Sequence, residues 1–295
     1  MKSDLDYVEC SVCGSKNFKL IIKQKNIGYN LNLVICKNCS LGLLNPRWTK
    51  EKYANYYKEE YDKQYRPNIQ SEKEKDIFPN PILERFKNNN IDILRFKNIL
   101  DIGGGSGDNL MAFKRNNSEI KCFAIEPSIK AQKNLTQKGV QIISDDVDTH
   151  WEANFAEKFD VVIMRHVLEH FLRPLEVLKK VQQVLSENGI LYIAVPNNLL
   201  EKRSAGWLRI AHTYYFNKYT LSKILNKSSL SIQSLYLEDK YNRFEIFAFA
   251  KKGLVNLDIQ VNKKVIKSQE KAFKSALKIK SYFTVFKNTF NSIFR

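Results

Sequence analysis

From Asn98 onward, short apolar runs alternate with amphipathic stretches. The runs NILDIG, IKCFAIE, VQIIS, FDVVIM and ILYIAV have the length and β-branched content of buried strands. Between them, apolar residues recur at helical spacing over Asp108 to Arg115, Ser128 to Lys138 and Pro174 to Ser186, the last closed by Asn188-Gly189. Strand and helix in alternation predict parallel βαβ units. A helix around Thr220 to Lys227 follows, then two further strands, LSIQSLYL and RFEIFAFA, close enough in sequence to form a hairpin. The expectation is a seven-stranded, mostly parallel sheet with helices on both faces. Ahead of it, NPRWTKEKYANYYKEEYDKQYRPN suits one or two helices ending near Pro67, and Ser71 to Pro81 reads as a charged linker closed by prolines.

Composition narrows the class. Hydrophobic residues make up 43% and charged residues 27% of the 295, as in a globular protein rather than a disordered one. No apolar run approaches the roughly 18 residues of a membrane span, and the charged start lacks a signal-peptide core, so a cytoplasmic location is expected. The net charge of +17 suggests an anionic partner. From Lys251 to Arg295, however, eleven basic residues face two acidic ones, so about half of the excess sits in the tail.

Four of the five cysteines form two CxxC pairs, Cys10/Cys13 and Cys36/Cys39, 22 residues apart. Two such turns can complete a tetrahedron, and in a reducing compartment metal is favoured over disulfide. With four protein ligands the site reads as structural zinc. Cys122, inside a strand, reads as an ordinary buried thiol.

The segment DIGGGSGD, Asp101 to Asp108, follows a strand and opens a helix. It fails the dinucleotide fingerprint, because Asp108 stands where the third glycine is required. It fits DxGxGxG, with Asp101, Gly103, Gly105 and Gly107. On these residues the stretch from Asn98 to Lys251 resembles class I S-adenosylmethionine-dependent methyltransferases, with their Rossmann-like fold. The resemblance implies that the glycine loop, Gly104 included, cradles the methionine part of the cofactor and that Asp101 helps hold its amino group. It also implies that Glu126, followed by Pro127 at the end of the second strand, binds the ribose hydroxyls. Asp145, Asp146 and Val147 after the third strand would face the adenine.

RHVLEHF, Arg165 to Phe171, contains HxxEH, a zinc-peptidase pattern. The metal histidines of that pattern sit within a helix, whereas this segment directly follows a strand, so the peptidase reading is set aside. His166 is assigned to the cofactor side and His170 to the acceptor side. A hydroxyl or carbon acceptor needs a base, and His170 and His212, in AHTYYF, are the two candidates. Each also has a purely structural reading.

Zinc pairs, tyrosine-rich segment and core together resemble bacterial zinc-ribbon methyltransferases related to deoxysugar C-methyltransferases of surface-glycan biosynthesis. That resemblance implies a sugar or glycan-precursor acceptor methylated at oxygen or carbon, with Tyr56, Tyr57 and Tyr61 near it. The alternative is an RNA methyltransferase using the ribbon for recognition. The tail from Lys263 to Arg295 places Ile279, Phe283, Phe286, Phe290 and Ile293 on one helical stripe beside lysines. It could lie on an anionic membrane, or dock on its own domain or a second subunit. The expected organisation is a zinc ribbon over 1–48, a helical linker or cap over 49–97, the cofactor-binding domain over 98–252 and a basic amphipathic tail over 253–295.

Overall fold

The computed structural model describes residues 4–26, 28–61, 80–156, 158–197, 208–238, 244–253 and 263–275. Its centre is a seven-stranded sheet built from β6 (Asn98–Ile102), β7 (Lys121–Ile125), β8 (Gln141–Ser144), β9 (Phe159–Arg165), β10 (Leu185–Pro196), β12 (Leu230–Glu238) and β13 (Glu245–Lys252). The spatial order is β12-β13-β10-β9-β6-β7-β8. The pairs within β10-β9-β6-β7-β8 are parallel, and β13 runs antiparallel to both β10 and β12. All seven strands read from the apolar runs are present, and the last two form the expected hairpin.

Helices α3 (Asp108–Lys114), α4 (Ile129–Gln137), α5 (Pro174–Val184) and α6 (Lys218–Lys227) fall where the periodicity places them. Ser128 caps α4 by accepting from the Ala131 amide, and Asn217 and Thr220 form a capping box on α6. One boundary differs. Helix α5 stops at Val184 and the chain extends into β10 from Leu185, because Leu185 pairs with Phe159 of β9 before the Asn188-Gly189 irregularity. Helix α2 (Ile82–Asn88) precedes the sheet and buries Phe86 against Phe96, Phe113, Tyr192 and Phe249. Most of the expected linker, and the segment around Pro67, lie outside the described residues.

The N-terminal segment is stitched into the same body. After β1 (Leu5–Asp6), strands β2 (Phe18–Asn26), β3 (Tyr29–Cys36) and β4 (Gly42–Leu44) form an antiparallel sheet whose fourth member is β11 (Tyr214–Tyr215). β5 (Arg47–Trp48) pairs with β1 and leads into α1 (Lys50–Glu59), capped by Thr49. Cys10, Cys36 and Cys39 share a hydrophobic cluster with Phe216, Leu221 and the central sheet.

The first part of the tail folds back. A helix over 263–275, α7, seats Phe273 on Gly42 and Tyr215 and brings Gln269 to Asn217. The apolar stripe from Ile279 to Ile293 lies outside the described residues. Among the described residues, no helix is long and apolar enough to cross a membrane.

Candidate active site

Parallel strands leave their carboxyl ends free to hold ligands, and here the loops after β6, β7, β8 and β9 enclose a cavity of about 450 Å³ with help from α1. Gly103, Glu126, Pro127, Asp145, Asp146, Val147, His166 and His170 line it. Asp101, Gly104, Gly105, Gly107 and His212 stand behind its wall rather than on it.

The glycine loop is shaped by sterics. Gly103 has φ +80°, and a Cβ there would meet Val167 Cγ1 at 2.3 Å; Gly107, φ +81°, would meet Leu135 Cδ2 at 2.8 Å. Both positions therefore require glycine. Behind the loop Asp101 is buried, accepting from Asn109 Nδ2 at 3.0 Å through one oxygen, while Oδ1 has no hydrogen-bond partner. Burial pushes its carboxyl up to about 7. Glu126 is buried as well, and its oxygens accept from the Gly105 and Ser128 amides at 2.8 and 3.0 Å. A buried carboxylate so oriented at a strand end suits a diol ligand, and the orphaned Asp101 oxygen suits a cationic group. The residues present thus fit S-adenosylmethionine.

The loop after β8 is held from two sides. Lys180 donates to the Val147 and Thr149 carbonyls, and Lys50 of α1 pairs with Asp148 at 3.0 Å and Asp146 at 3.5 Å. The hydrogen bond to Asp148 holds the Lys50 ammonium above its usual range.

At the other end the wall is aromatic. Tyr53, Tyr57 and Tyr61 of the α1 region line the cavity, whereas Tyr56 packs in the core against Trp48. The HxxEH segment forms a 3-10 turn, Leu168–His170, and not an α-helix. His170 Nδ1 lies 3.2 Å from Tyr57 Oη, and Tyr57 Oη is 3.5 Å from the Ala211 carbonyl. Burial keeps the Tyr57 phenol neutral. His212 packs edge-on to His170, with ring centroids 4.9 Å apart. Between these two and His166 sits Glu169, 1% exposed, with neither carboxylate oxygen hydrogen-bonded. Thr213 ties this turn down by donating to the Glu169 and Phe171 carbonyls.

His166 has φ +55°, a left-handed conformation that a non-glycine residue adopts only under tertiary constraint. Glu245 supplies that constraint, its Oε1 lying 2.7 Å from His166 Nε2 and 2.9 Å from Arg165 Nη2. Burial opposes charge on His166, but the Glu169 carboxylate, 3.6 Å from Nδ1, and the hydrogen bond to Glu245 outweigh it and raise its pKa. Burial would likewise raise Glu245, yet His166, Arg165 and Arg85 hold it well below the usual carboxylate range. Glu245 was not among the expected site residues; its signal is a lone acid in the apolar run RFEIFAFA. Glu169 lies hidden inside HxxEH, and Lys50 and Tyr53 inside the tyrosine segment.

Away from the cavity, Cys10 and Cys39 sulfurs are 3.4 Å apart and Cys13 and Cys36 sulfurs 3.5 Å apart, with all four within 4.8 Å of one another. Tetrahedral zinc with bonds of about 2.3 Å would space its sulfurs about 3.8 Å apart. Hydrogen bonds from Cys10 and Cys39 hold Cys36 down as a thiolate, and the same bonds together with burial push Cys10 and Cys39 up. The cluster is compatible with zinc. Cys122 is a buried thiol in β7, raised by desolvation.

A family model described as "Methyltransferase domain" matches residues 58–235, more than half of the chain. The ubiquinone biosynthesis O-methyltransferases of Actinobacillus pleuropneumoniae serotype 5b and Haemophilus ducreyi are each 29% identical to this chain over 112 residues. The match to the first covers 36% of this chain and 48% of the relative, so the chain spans about half the length of these curated relatives. Among solved structures, a Burkholderia thailandensis 1,6-didemethyltoxoflavin-N1-methyltransferase with bound S-adenosylhomocysteine superposes with a TM-score of 0.55 at 13% identity. It covers 79% of this chain and 100% of that one. Magnesium protoporphyrin IX methyltransferase of Synechocystis PCC 6803, also with S-adenosylhomocysteine, gives 0.52 at 15%, covering 70% and 100%. At such identities the likeness is one of fold. Since the family match runs across the strands and loops that enclose the cavity, the chain belongs to the methyltransferase-domain family and has the class I methyltransferase fold.

Proposed function

We propose that this enzyme methylates a hydroxyl of a small polyhydroxylated acceptor, a sugar or glycan precursor, and that Cys10, Cys13, Cys36 and Cys39 hold a structural zinc ion. The observation that carries the acceptor reading is one cavity with two unlike ends: glycine and carboxylates at one, tyrosines and histidines at the other. S-Adenosylmethionine, when bound, supplies a methyl group activated by a sulfonium. Gly103, Glu126, Asp146 and Val147 hold and orient it, with Asp101 behind the loop matching its positive charge. Tyr57 and Tyr61 hold the acceptor and exclude water, and the Glu169, His170 and His212 cluster takes up the acceptor proton. Aromatic faces with directed polar tips are a common way to bind sugars and flat rings alike. Oxygen is preferred over carbon as the acceptor atom because the curated relatives are named O-methyltransferases.

An assay of methyl transfer to a panel of nucleotide sugars and free phenols tests the reading. Transfer to a sugar hydroxyl supports it; transfer to phenols alone, or to RNA alone, overturns it.

A further inference from the structure

The buried carboxylate of Glu169 makes no hydrogen bond among the described residues and is faced by His166 Nδ1 at 3.6 Å and His170 Nε2 at 3.8 Å, in a protein interior where an ionised group is costly without close partners. A third imidazole, His212, comes from a separate segment. Ligand atoms of Glu169, His170 and His212 all lie within 4.8 Å of one another.

The tautomer of His170 sharpens the point. Tyr57 can donate its hydroxyl proton to the Ala211 carbonyl and accept from His170 Nδ1–H. In that tautomer the Nε2 side of His170, 3.8 Å from Glu169 Oε1, is the side that can ligate a cation shared with the carboxylate. A ligating histidine whose other ring nitrogen is hydrogen-bonded is also the usual arrangement around a protein-bound metal.

We propose that Glu169, His170 and His212 form a second metal site, separate from the four cysteines, for a first-row divalent cation such as manganese, iron(II) or zinc. One carboxylate and two imidazoles suit such ions better than magnesium or calcium. Bonds of about 2.0 to 2.2 Å place ligand atoms about 3 to 4.3 Å apart, so a contraction of a few tenths of an ångström closes the set. Three protein ligands leave coordination positions for the acceptor, since His170 lines the cavity beside Tyr57 and Tyr61. His166, although its Nδ1 is 3.6 Å from Glu169 Oε1, is not part of the set, because among the described residues around Glu169 only His170 and His212 bring their ligand atoms within 4.8 Å of it and of one another.

The proposal deepens the methyl-transfer reading and, for its chemical role, rests on it. In place of a histidine taking the proton directly, the cation withdraws charge from the acceptor oxygen and makes its hydroxyl more acidic. The oxygen–methyl bond forms as the methyl–sulfur bond breaks, the electron pair stays on sulfur, and the hydroxyl proton leaves to water. HxxEH thus contributes a metal-competent pair, Glu169 and His170, completed by a histidine about forty residues on rather than by His166.

The test is a Mn²⁺ titration of the full-length protein with zinc on its cysteines, followed by loss of the free-ion electron paramagnetic resonance signal. Elemental analysis and S-adenosylmethionine calorimetry on the same samples serve as controls. Wild type is expected to bind one Mn²⁺ per chain. Glu169→Gln and His212→Ala should each weaken that binding at least tenfold, while cysteine-bound zinc and cofactor affinity stay within twofold. Two zinc ions per chain on purification, one of them lost in Glu169→Gln, also supports the site. No saturable Mn²⁺ binding to a wild type holding one zinc overturns it, as does unchanged affinity in both variants. Methyl transfer that persists after chelation from this site removes the metal's role and leaves histidine as the base. Absence of cofactor binding would count instead against the methyl-transfer reading.

Discussion

The cofactor end of the cavity is made by consecutive strand-loop units between Asn98 and Thr149, whereas the acceptor end is assembled from three separated segments around residues 50–61, 166–172 and 208–215. At the first end, backbone shape and two buried carboxylates at strand ends form the wall that would bind the cofactor. At the second, side chains from α1, the Leu168–His170 turn and the segment before β11 meet only because other parts of the chain hold them. Trp48 and Tyr53 anchor α1 in a core shared with Leu208 and Ile210. Arg47 donates to Tyr214 Oη and the Leu172 carbonyl, and β4 pairs with β11. The N-terminal segment therefore supports the acceptor end most directly and reaches the cofactor end through Lys50 of α1.

The sharpest way to break this asymmetry is to remove the zinc ion that we propose the cysteines hold. A structural zinc contributes on the order of 10 kcal/mol to the fold around it. Cys36→Ser, or stripping with a thiol-directed reagent, should abolish methyl transfer and lower zinc by one ion per chain. S-Adenosylmethionine affinity should fall by less than about tenfold, the residual effect coming from Lys50. Calorimetry beside elemental analysis checks this. Equal loss of both functions would mean that the two ends are not separable.

That division also sets how much of the molecule is legible in sequence. Strands β6 to β10 are continuous apolar runs because both faces of a parallel sheet are covered. Gly103 and Gly107 are readable because only glycine fits their backbone, and Glu126 because a strand end fixes its place. The acceptor end hides because nothing local distinguishes His212 from a structural histidine, or Tyr57 from Tyr56. Of the three tyrosines expected near the acceptor, Tyr57 and Tyr61 reach the cavity and Tyr56 turns into the core, a difference of one step around α1. Glu245 constrains His166 from a strand 79 residues away, a relation that the β10-β13 pairing creates.

Within the acceptor end, His170→Ala and His212→Ala should each reduce turnover at least about a hundredfold, the scale of losing a group that assists proton removal. Cofactor affinity should stay within twofold in both. Steady-state kinetics with calorimetry checks it; a variant that loses cofactor binding to the same extent would move that histidine to the other end.

Within the cofactor end, Glu126→Ala should weaken S-adenosylmethionine binding by about 1.5 to 3 kcal/mol, the scale of hydrogen bonds to a charged group. The loss should appear equally for S-adenosylhomocysteine, because the ribose is common to both. Affinity unchanged by titration calorimetry would remove Glu126 from the site.

Asp101 gives a pH signature that the acceptor end cannot mimic. Its carboxyl is pushed up to about 7 by burial, helped by the nearby Glu126 charge and opposed by Asn109 and Arg165. Below pH 7 the group is neutral, and a cationic ligand must drive off its proton to gain an ionic partner. Affinity for S-adenosylmethionine should therefore climb as pH rises toward 7, at up to about tenfold per unit, and level off above it. Asp101→Asn should be weak and flat across the same range. A wild-type affinity independent of pH between 5.5 and 8 would show that Asp101 does not meet the cofactor's charge.

The smallest effect expected is that of the basic tail, and it separates a small acceptor from a polyanion. Helix α7 is part of the fold: Phe273 is buried against Gly42 and Tyr215, and Gln269 reaches Asn217 in the interior. Deleting from Lys263 would therefore damage the β4-β11 sheet and confuse lost support with lost charge. Deletion of residues 276–295 leaves that helix in place and removes Lys278, Lys280, Lys287 and Arg295. A nucleotide sugar held in the cavity meets few charges, so its turnover should change by less than about twofold and depend weakly on salt. An RNA bound along the tail would lose contacts with each lysine, and its binding would fall steeply as salt is raised, in proportion to the phosphates neutralised. Measuring turnover of full-length and shortened enzyme between about 50 and 200 mM salt distinguishes the two. A steep salt dependence that disappears with residues 276–295 would turn the charge of the tail from a by-product of composition into the recognition element.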